Sequence, residues 1–241
     1  MKFRQRRRAL QLFHACQNRV CVDYNFPNWV RTFLPDEPSG KFWVIPNFTK
    51  VVDPNRMQNR QWAKGPLKVL FARRFTEFRG TRIFADVVDR ILSDSVDVSF
   101  TFAGEGPDES YLKRRFSNQP SVKFVKYAPD ESQAVQLQHH VAVVPSLGSE
   151  GTSLSAAEAM GAGAVVVAAS VGGLTNMIID GFNGLLCHPS SDAFEQKIRQ
   201  LAGDRKWAAT LASQGYKTAQ EAFSLSRWEA SWEGVLRQIA S

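Results

Sequence analysis

The chain has 241 residues, 44% of them hydrophobic and 22% charged, which is enough to bury a core and too apolar for global disorder. No apolar run approaches the ~20 residues that span a bilayer, and the basic start MKFRQRRR lacks the apolar core of a secretion signal. The net charge is +7, but no nucleic-acid-binding motif accompanies it, so nucleic acid is not expected as a partner.

The first 46 residues read as a helix at 8–16, a strand at 19–22, a segment at 28–34 and a strand at 42–46. A hinge-like stretch, 47–66, follows. From 67 onward apolar strand-like runs alternate with helical patterns. The strands fall at 67–72, 96–103, 122–125, 141–145, 164–168 and 184–187, and the helices at 81–92, 109–116, 131–139, 153–162 and 173–179. Such alternation implies right-handed crossovers, hence an α/β fold with a Rossmann-like parallel sheet and helices on both faces. Beyond Cys187 the pattern is helical at 192–202, 205–222 and 226–239, the last with Trp228, Trp232, Val235 and Ile239 at helical spacing for a core-facing stripe.

Ligands of such sheets bind at the carboxyl ends of the strands. Arg74, Gly104, Tyr127, Glu150 and Gly172 all fall just past strand ends. In SEGTSLSAAEAMGAG a strand leads through a loop of small residues into a helix, so Glu150 lies in the loop and Glu158 within the helix. The amides of Gly151, Thr152, Ser153 and Leu154 open that helix, where unpaired N–H groups and the macrodipole favour an anion such as a diphosphate. A carboxylate one or two turns along accepts hydrogen bonds from vicinal hydroxyls.

Cys16, Cys21 and Cys187 form no Cys-x-x-Cys pair, and the four histidines show no zinc spacing. Reduced thiols in a cytoplasmic protein without a metal centre are the expectation, and the sequon at Asn47 is taken as accidental. His139 and His140, between a helix and a strand, read as structural or surface residues rather than catalytic ones.

The stretch PSLGSEGTSLSAAEAMGAGAVVVAASVGG resembles the signature of the retaining GT-B glycosyltransferases, glycosyltransferase group 1. Pro145, Ser146, Glu150, Gly151, Glu158, Ala159, Met160, Gly163, Gly172 and Gly173 supply its pattern, with the gap before Glu150 one residue longer than usual. VLFARRFTEFRG resembles the strand and loop that carry an Arg and, five residues on, a Lys for the pyrophosphate; Arg74 and Arg79 take those places. The second arginine keeps the charge and adds a planar fork. FTFAGEGPDESYL, with Gly104, Gly106 and Pro107, resembles the strand followed by Gly-x-Gly-Pro. VKFVKYAPDES resembles the segment beside the base, except that Lys126 stands where the family often has Gly. No Asp-x-Asp occurs, so the metal-diphosphate motif of the other large glycosyltransferase fold is missing and no obligatory metal or other cofactor is expected.

The resemblance implies one GT-B half: a nucleotide-sugar-binding domain at 67–222, a final helix at 223–241 crossing back, and a partial N-terminal remnant at 1–46 of the acceptor domain. The implied substrates are a nucleotide diphosphate sugar donor and a glycan or lipid-linked acceptor, as in polysaccharide biosynthesis, with retention at the anomeric carbon. Glu158 would hold the ribose, Arg74 and Arg79 the diphosphate, and Glu150 with the Thr152–Leu154 amides the sugar. A remnant of this size leaves unpaired strand edges. An acceptor domain from a partner chain, or a second copy in a homodimer, is expected to cover them. The other reading is a non-catalytic nucleotide-sugar-binding module. The basic cluster Lys2, Arg4, Arg6, Arg7 and Arg8 suits peripheral contact with an anionic membrane face and also suits an idle, solvated terminus.

Overall fold

The computed structural model describes residues 3–32, 40–57, 60, 62–94, 96–148 and 150–240, with side chains from Arg7 onward. Lys2 of the basic cluster and residues 33–34 of the segment at 28–34 lie outside the described residues. The front of the chain forms α1 (Phe3–Ala15), β1 (Asn18–Cys21), α2 (Asn25–Arg31) and β2 (Lys41–Val44). β1 and β2 pair in parallel, Asn18 opposite Lys41 and Cys21 opposite Val44. A short helix, α3 (Pro54–Met57), interrupts the hinge-like stretch.

The body follows as β3 (Leu67–Ala72), a 3₁₀ turn (Glu77–Arg79), α4 (Thr81–Ser93), β4 (Val98–Ala103), α5 (Glu109–Arg115), β5 (Val122–Val125) and a 3₁₀ turn (Pro129–Glu131). Next come α6 (Ser132–Leu137), β6 (Val141–Val144), α7 (Leu154–Gly161), β7 (Val165–Ala169), α8 (Leu174–Met177), β8 (Leu185–Cys187), α9 (Ser191–Gly203), α10 (Arg205–Ala222) and α11 (Leu225–Ala240). Among the described residues β3 to β8 form one six-stranded parallel sheet in the order β5-β4-β3-β6-β7-β8. The order reverses between β3 and β6, which opens a crevice at their carboxyl ends.

Both faces of the sheet are covered, so its central strands are buried on both sides: β6 and β7 expose no residue. On one face Phe71, Phe100 and Phe102 meet Phe84, Val87, Val88 and Ile91 of α4 and Phe194, Ile198 and Leu201 of α9. Phe71 stacks on Phe84 at 5.4 Å, and Phe102 lies 5.2 Å from the same ring. On the other face Ala156, Ala157, Ala159 and Met160 of α7 pack on Ala142, Val144, Val166 and Ala168. Small residues on both sides of that contact let α7 lie close to the strands.

The helical pattern at 131–139 resolves into the 3₁₀ turn and α6, because the chain must turn at Gln138 to enter β6. The helix read at 173–179 ends at Met177, where Asn183 intervenes. Its Nδ2 donates to Met177 O at 3.1 Å and its Oδ1 accepts from Ile179 N at 2.7 Å, satisfying the groups that a further turn would have used. The stripe on α11 is only partly buried: Val235 is in the interior, Trp228 and Trp232 are half-buried, and Ile239 is 45% exposed. The helix is held by Phe48 against Trp228 at 5.1 Å and by Lys41 Nζ donating to Gln238 O, and its last turn has little beneath it.

Gly80 joins the 3₁₀ turn to α4 at φ +77°, and a Cβ there would stand 1.8 Å from Pro145 O. Gly80→Ala therefore combines left-handed strain with a clash against backbone and should cost about 2–4 kcal/mol. Gly203→Ala, at a site with nothing within 4 Å, should change stability by less than about 1 kcal/mol. Urea unfolding of both variants checks the contrast, and equal midpoints would refute it.

Candidate functional site

The carboxyl ends of β3, β4 and β5 are stitched together by their loops. Arg73 N donates to Ala103 O at 3.0 Å, Phe75 N to Glu105 O at 2.8 Å and Gly104 N to Val125 O at 2.9 Å. Gly104 takes φ +133° there, and a Cβ would stand 2.4 Å from Arg73 O, so the glycine is what lets the two loops touch. Above them lies an open groove of about 610 Å³ lined by Arg73, Arg74, Gly104, Tyr127, Ser132 and Glu158, with Glu105 and Glu109 at its side. An adjoining cavity of about 460 Å³ shares Ser132 and Glu158 and continues past Leu154 to Phe48 and Trp228. Glu158 stands where the two meet.

Of the residues singled out in the sequence, Arg74, Gly104, Tyr127 and Glu158 come together in the groove, and Leu154 joins Glu158 in the adjoining cavity. Arg74 is exposed, and its side chain has no ion-pair or hydrogen-bond partner among the described residues. Glu158 Oε2 accepts from Ser132 Oγ at 2.6 Å. Burial pushes its carboxyl above the usual range, and the Ser132 bond offsets only part of that. Burial likewise raises the Tyr127 phenol, with the charge of Glu158 adding to it and Arg73 opposing.

Glu150 sits behind the groove. Its Oε1 accepts from Arg73 Nη2, Arg79 Nη1 and Ser146 Oγ. Ser146 Oγ also accepts from Arg73 Nη1 at 2.6 Å, closing a ring of three groups to which Arg79 is attached through Glu150. Burial pushes the Glu150 carboxyl up, but Arg73 and the hydroxyl donors outweigh it, so the group lies below the usual carboxylate range. Burial lowers the Arg73 guanidinium, while Glu150 pulls it back. Arg79 differs from Arg73 in reach: 41% of its side chain is exposed against 6% for Arg73.

The start of α7 is less open than its sequence suggests. Thr152 Oγ1 donates to Val22 O at 2.6 Å and accepts from Asn47 N at 3.3 Å. Ser153 N is directed at Met177 Sδ, 3.3 Å away. A Cβ on Gly151 would stand 2.8 Å from Val22 Cγ2. The front segment thus covers Gly151 and Thr152, Ser153 is buried beside Met177, and Leu154 is the one of the four that reaches a cavity. The sequence pattern could not show this, because the covering residues lie about a hundred positions away.

Two residues at the groove were not singled out as ligands. Arg73 looks equivalent to Arg74 in sequence, and only its place at the end of a buried strand hints that it turns inward. Ser132 carries no signal beyond preceding a helical run. Lys126, the departure from the family pattern, points its charge at the groove's acidic side, with Nζ 3.3 Å from Glu105 and 3.6 Å from Glu109. His139 is structural, bonded through Nε2 to Thr101 Oγ1 at 2.8 Å and through Nδ1 to Val135 O at 2.7 Å. Among the described residues no three His, Cys, Asp or Glu side chains converge as metal ligands, and no helix is long and apolar enough to cross a membrane.

The family described as Glycosyl transferases group 1 matches residues 66–204. An uncharacterized glycosyltransferase of Methanocaldococcus jannaschii is 29% identical over 172 residues, which cover 69% of this chain and 46% of that protein. A D-inositol 3-phosphate glycosyltransferase of Frankia alni is 35% identical over 117 residues, 48% of this chain and 28% of that protein. The chain thus spans less than half the length of either relative. The crystal structure of HepE from Anabaena in complex with UDP and glucose superposes with a TM-score of 0.80, covering 99% of this chain and 68% of that one, and at 19% identity the likeness is one of fold. The matched stretch runs from the start of the sheet to the end of α9 and contains Arg73, Arg74, Gly104, Tyr127, Glu150 and Glu158; this chain belongs to the group 1 glycosyl transferases.

Proposed function

We propose that the chain binds a nucleotide diphosphate sugar in the groove at the sheet's switch point and serves as the donor half of a glycosyltransferase. The observation that carries this is the pairing, in one open groove, of Arg74, without a side-chain partner among the described residues, with the Glu158–Ser132 pair. Arg74 meets the diphosphate, and Glu158 accepts from the vicinal hydroxyls of the ribose through the oxygen that Ser132 leaves unused. Arg79 is the second diphosphate cation: it is half exposed and exchanges its bond to Glu150 for one to phosphate. Glu150, still held by Arg73, positions the sugar. Stabilisation of the departing diphosphate by fixed cations is the main service of such a site, and it needs no metal.

The acceptor is a glycan or a lipid-linked glycan, transferred to with retention and met on the side of Phe48, Trp228 and the front segment. In this reading 67–222 is the donor domain, 1–46 belongs with the acceptor side, 47–66 is the hinge and 223–241 ties the two. A partner chain or a second copy completes the acceptor side, and the protein works in the cytoplasm or at the inner face of a membrane. A binding module without turnover is the second reading, favoured by the two-stranded front sheet, whose outer edges have no strand partners among the described residues. Transfer from a bound donor to added acceptor separates the two.

Calorimetric titration with UDP, GDP and ADP tests the site, with UDP first because HepE holds it. Arg74→Ala and Glu158→Ala should each weaken the preferred diphosphate about tenfold or more, the size of one charge-assisted hydrogen bond, without unfolding the chain. Unchanged affinity in both would sink the assignment. Glu158→Ala should also lose the preference for UDP over its 2′-deoxy analogue.

The raised carboxyl of Glu158 gives a pH signature. As pH falls, this group takes up its proton before an ordinary glutamate would, and the protonated form is the weaker ribose acceptor. UDP affinity of the native chain should therefore drop relative to Glu158→Gln from just above the ordinary glutamate range downward. Parallel pH profiles for the two proteins would refute it.

A further inference from the structure

Lys68 and Arg74 are six positions apart at opposite ends of β3, about 20 Å at the rise of a strand. At the Lys68 end, remote from the groove, a cavity of about 300 Å³ is walled by Arg56, Arg60, Lys64, Lys68 and His140 and, among the described residues, by no carboxylate. Arg56, Lys64 and Lys68 are exposed and form no ion pair among the described residues. Several other surface arginines are paired: Arg115 with Asp86 and Asp89, Arg199 with Asp94 and Glu195, Arg90 with Asp192. Around Lys68 like charges gather without a counter-charge among the described residues.

Arg60 has a structural role of its own. It donates to Leu137 O and Ala162 O, both at 3.0 Å, and to Gly163 O, gathering the last carbonyl of α6 and the two that follow α7. Two helix C-termini carry roughly one negative charge between them, which offsets Arg60 and leaves three cations unbalanced. The Arg60 Nε is buried with no partner. The local field is felt next door: burial above all, with Lys68 and Arg60 adding to it, lowers His139 to about 4.

We propose that this cavity is an anion site, in which Arg56, Lys64 and Lys68 take a phosphate group from solution or from a phospholipid headgroup. Phosphate suits it because several cations on separate stems can each reach a different oxygen, and the concave wall limits how much water the anion keeps. The site is independent of the donor groove, from which the length of β3 separates it.

Two probes decide it, inorganic pyrophosphate by calorimetry and vesicles of equal parts phosphatidylcholine and phosphatidylglycerol by flotation, each on the full chain and on K64E/K68E. Pyrophosphate binding weakened about a hundredfold or more in the double variant, the loss expected for two charge-assisted hydrogen bonds, supports a soluble phosphate. Loss of vesicle binding alone supports a headgroup. Any binding at Arg74 is common to both proteins and drops out of the comparison. Arg56→Glu, on exposed α3 away from the sheet, gives the same readout should the double variant fail to fold. Both probes binding the variants as they bind the native chain, or neither binding the native chain, overturns the proposal.

Discussion

Arg73 and Glu150 meet where the strand order of the sheet reverses, each with 6% of its side chain exposed. Taking two charges out of water costs several kcal/mol per ion and is repaid only when geometry is good and the remaining polar atoms are satisfied. Here Ser146 accepts from one partner and donates to the other, so the pair is closed into a small network. Losing Glu150 would strand the buried Arg73, at a cost of about 3–5 kcal/mol, whereas Glu150 without Arg73 would keep Arg79. The loop after β3 and the loop after β6 are thereby held in register across the crevice. Arg74, one residue beyond Arg73, is presented to the groove as a consequence, and Arg79 reaches Glu150 from the exposed side.

The opposite wall depends on close packing rather than charge. Ala156, Ala157 and Ala159 let α7 lie low on β6 and β7, which carries Glu158 to the groove's edge and the start of the helix towards the front of the chain. There Thr152 bonds Val22 O, and Tyr24 N donates to Asn176 Oδ1 at 3.0 Å beside α8. The front segment is anchored to the sheet's own loops by backbone groups, while α11 holds it from behind through Lys41 and Phe48. Three distant stretches of chain thus share one wall.

The two ends of the parallel sheet are charged differently. At the carboxyl ends Arg73, Arg79 and Lys126 are matched by carboxylates while Arg74 and Glu158 have no opposite charge paired with them among the described residues, and the glycine turn at Gly104 brings the loops into contact. At the amino ends Arg60 is consumed by helix carbonyls, and Arg56, Lys64 and Lys68 are left over. Unpaired charge at each end is local and small in number, which is why net charge alone points to neither place.

Much of the fold is legible locally. β3, a largely buried run broken only by Lys68, and β5, a short edge strand, are recognised end to end, and α10 is bounded by Asp204 and Phe223 as its pattern implies. The helices that read too long, at 131–139 and 173–179, stop where distant or turn-forming groups take their terminal hydrogen bonds, which periodicity does not register. The groove itself was half visible: Arg74, Gly104, Tyr127 and Glu158 follow from lying past strand ends in a parallel sheet. The sequence by itself determined which residues could be strands, which loops would meet at one edge and that an arginine and a glutamate would lie there, because those depend on spacing within each element. Only the tertiary structure decided that Arg73 turns inward while Arg74 faces the groove, that Thr152 and Ser153 are spent on Val22 and Met177, and that four cations share one cavity. Each of those outcomes is fixed by partners tens to more than a hundred residues away, through burial and hydrogen bonds that exist only once the chain has closed.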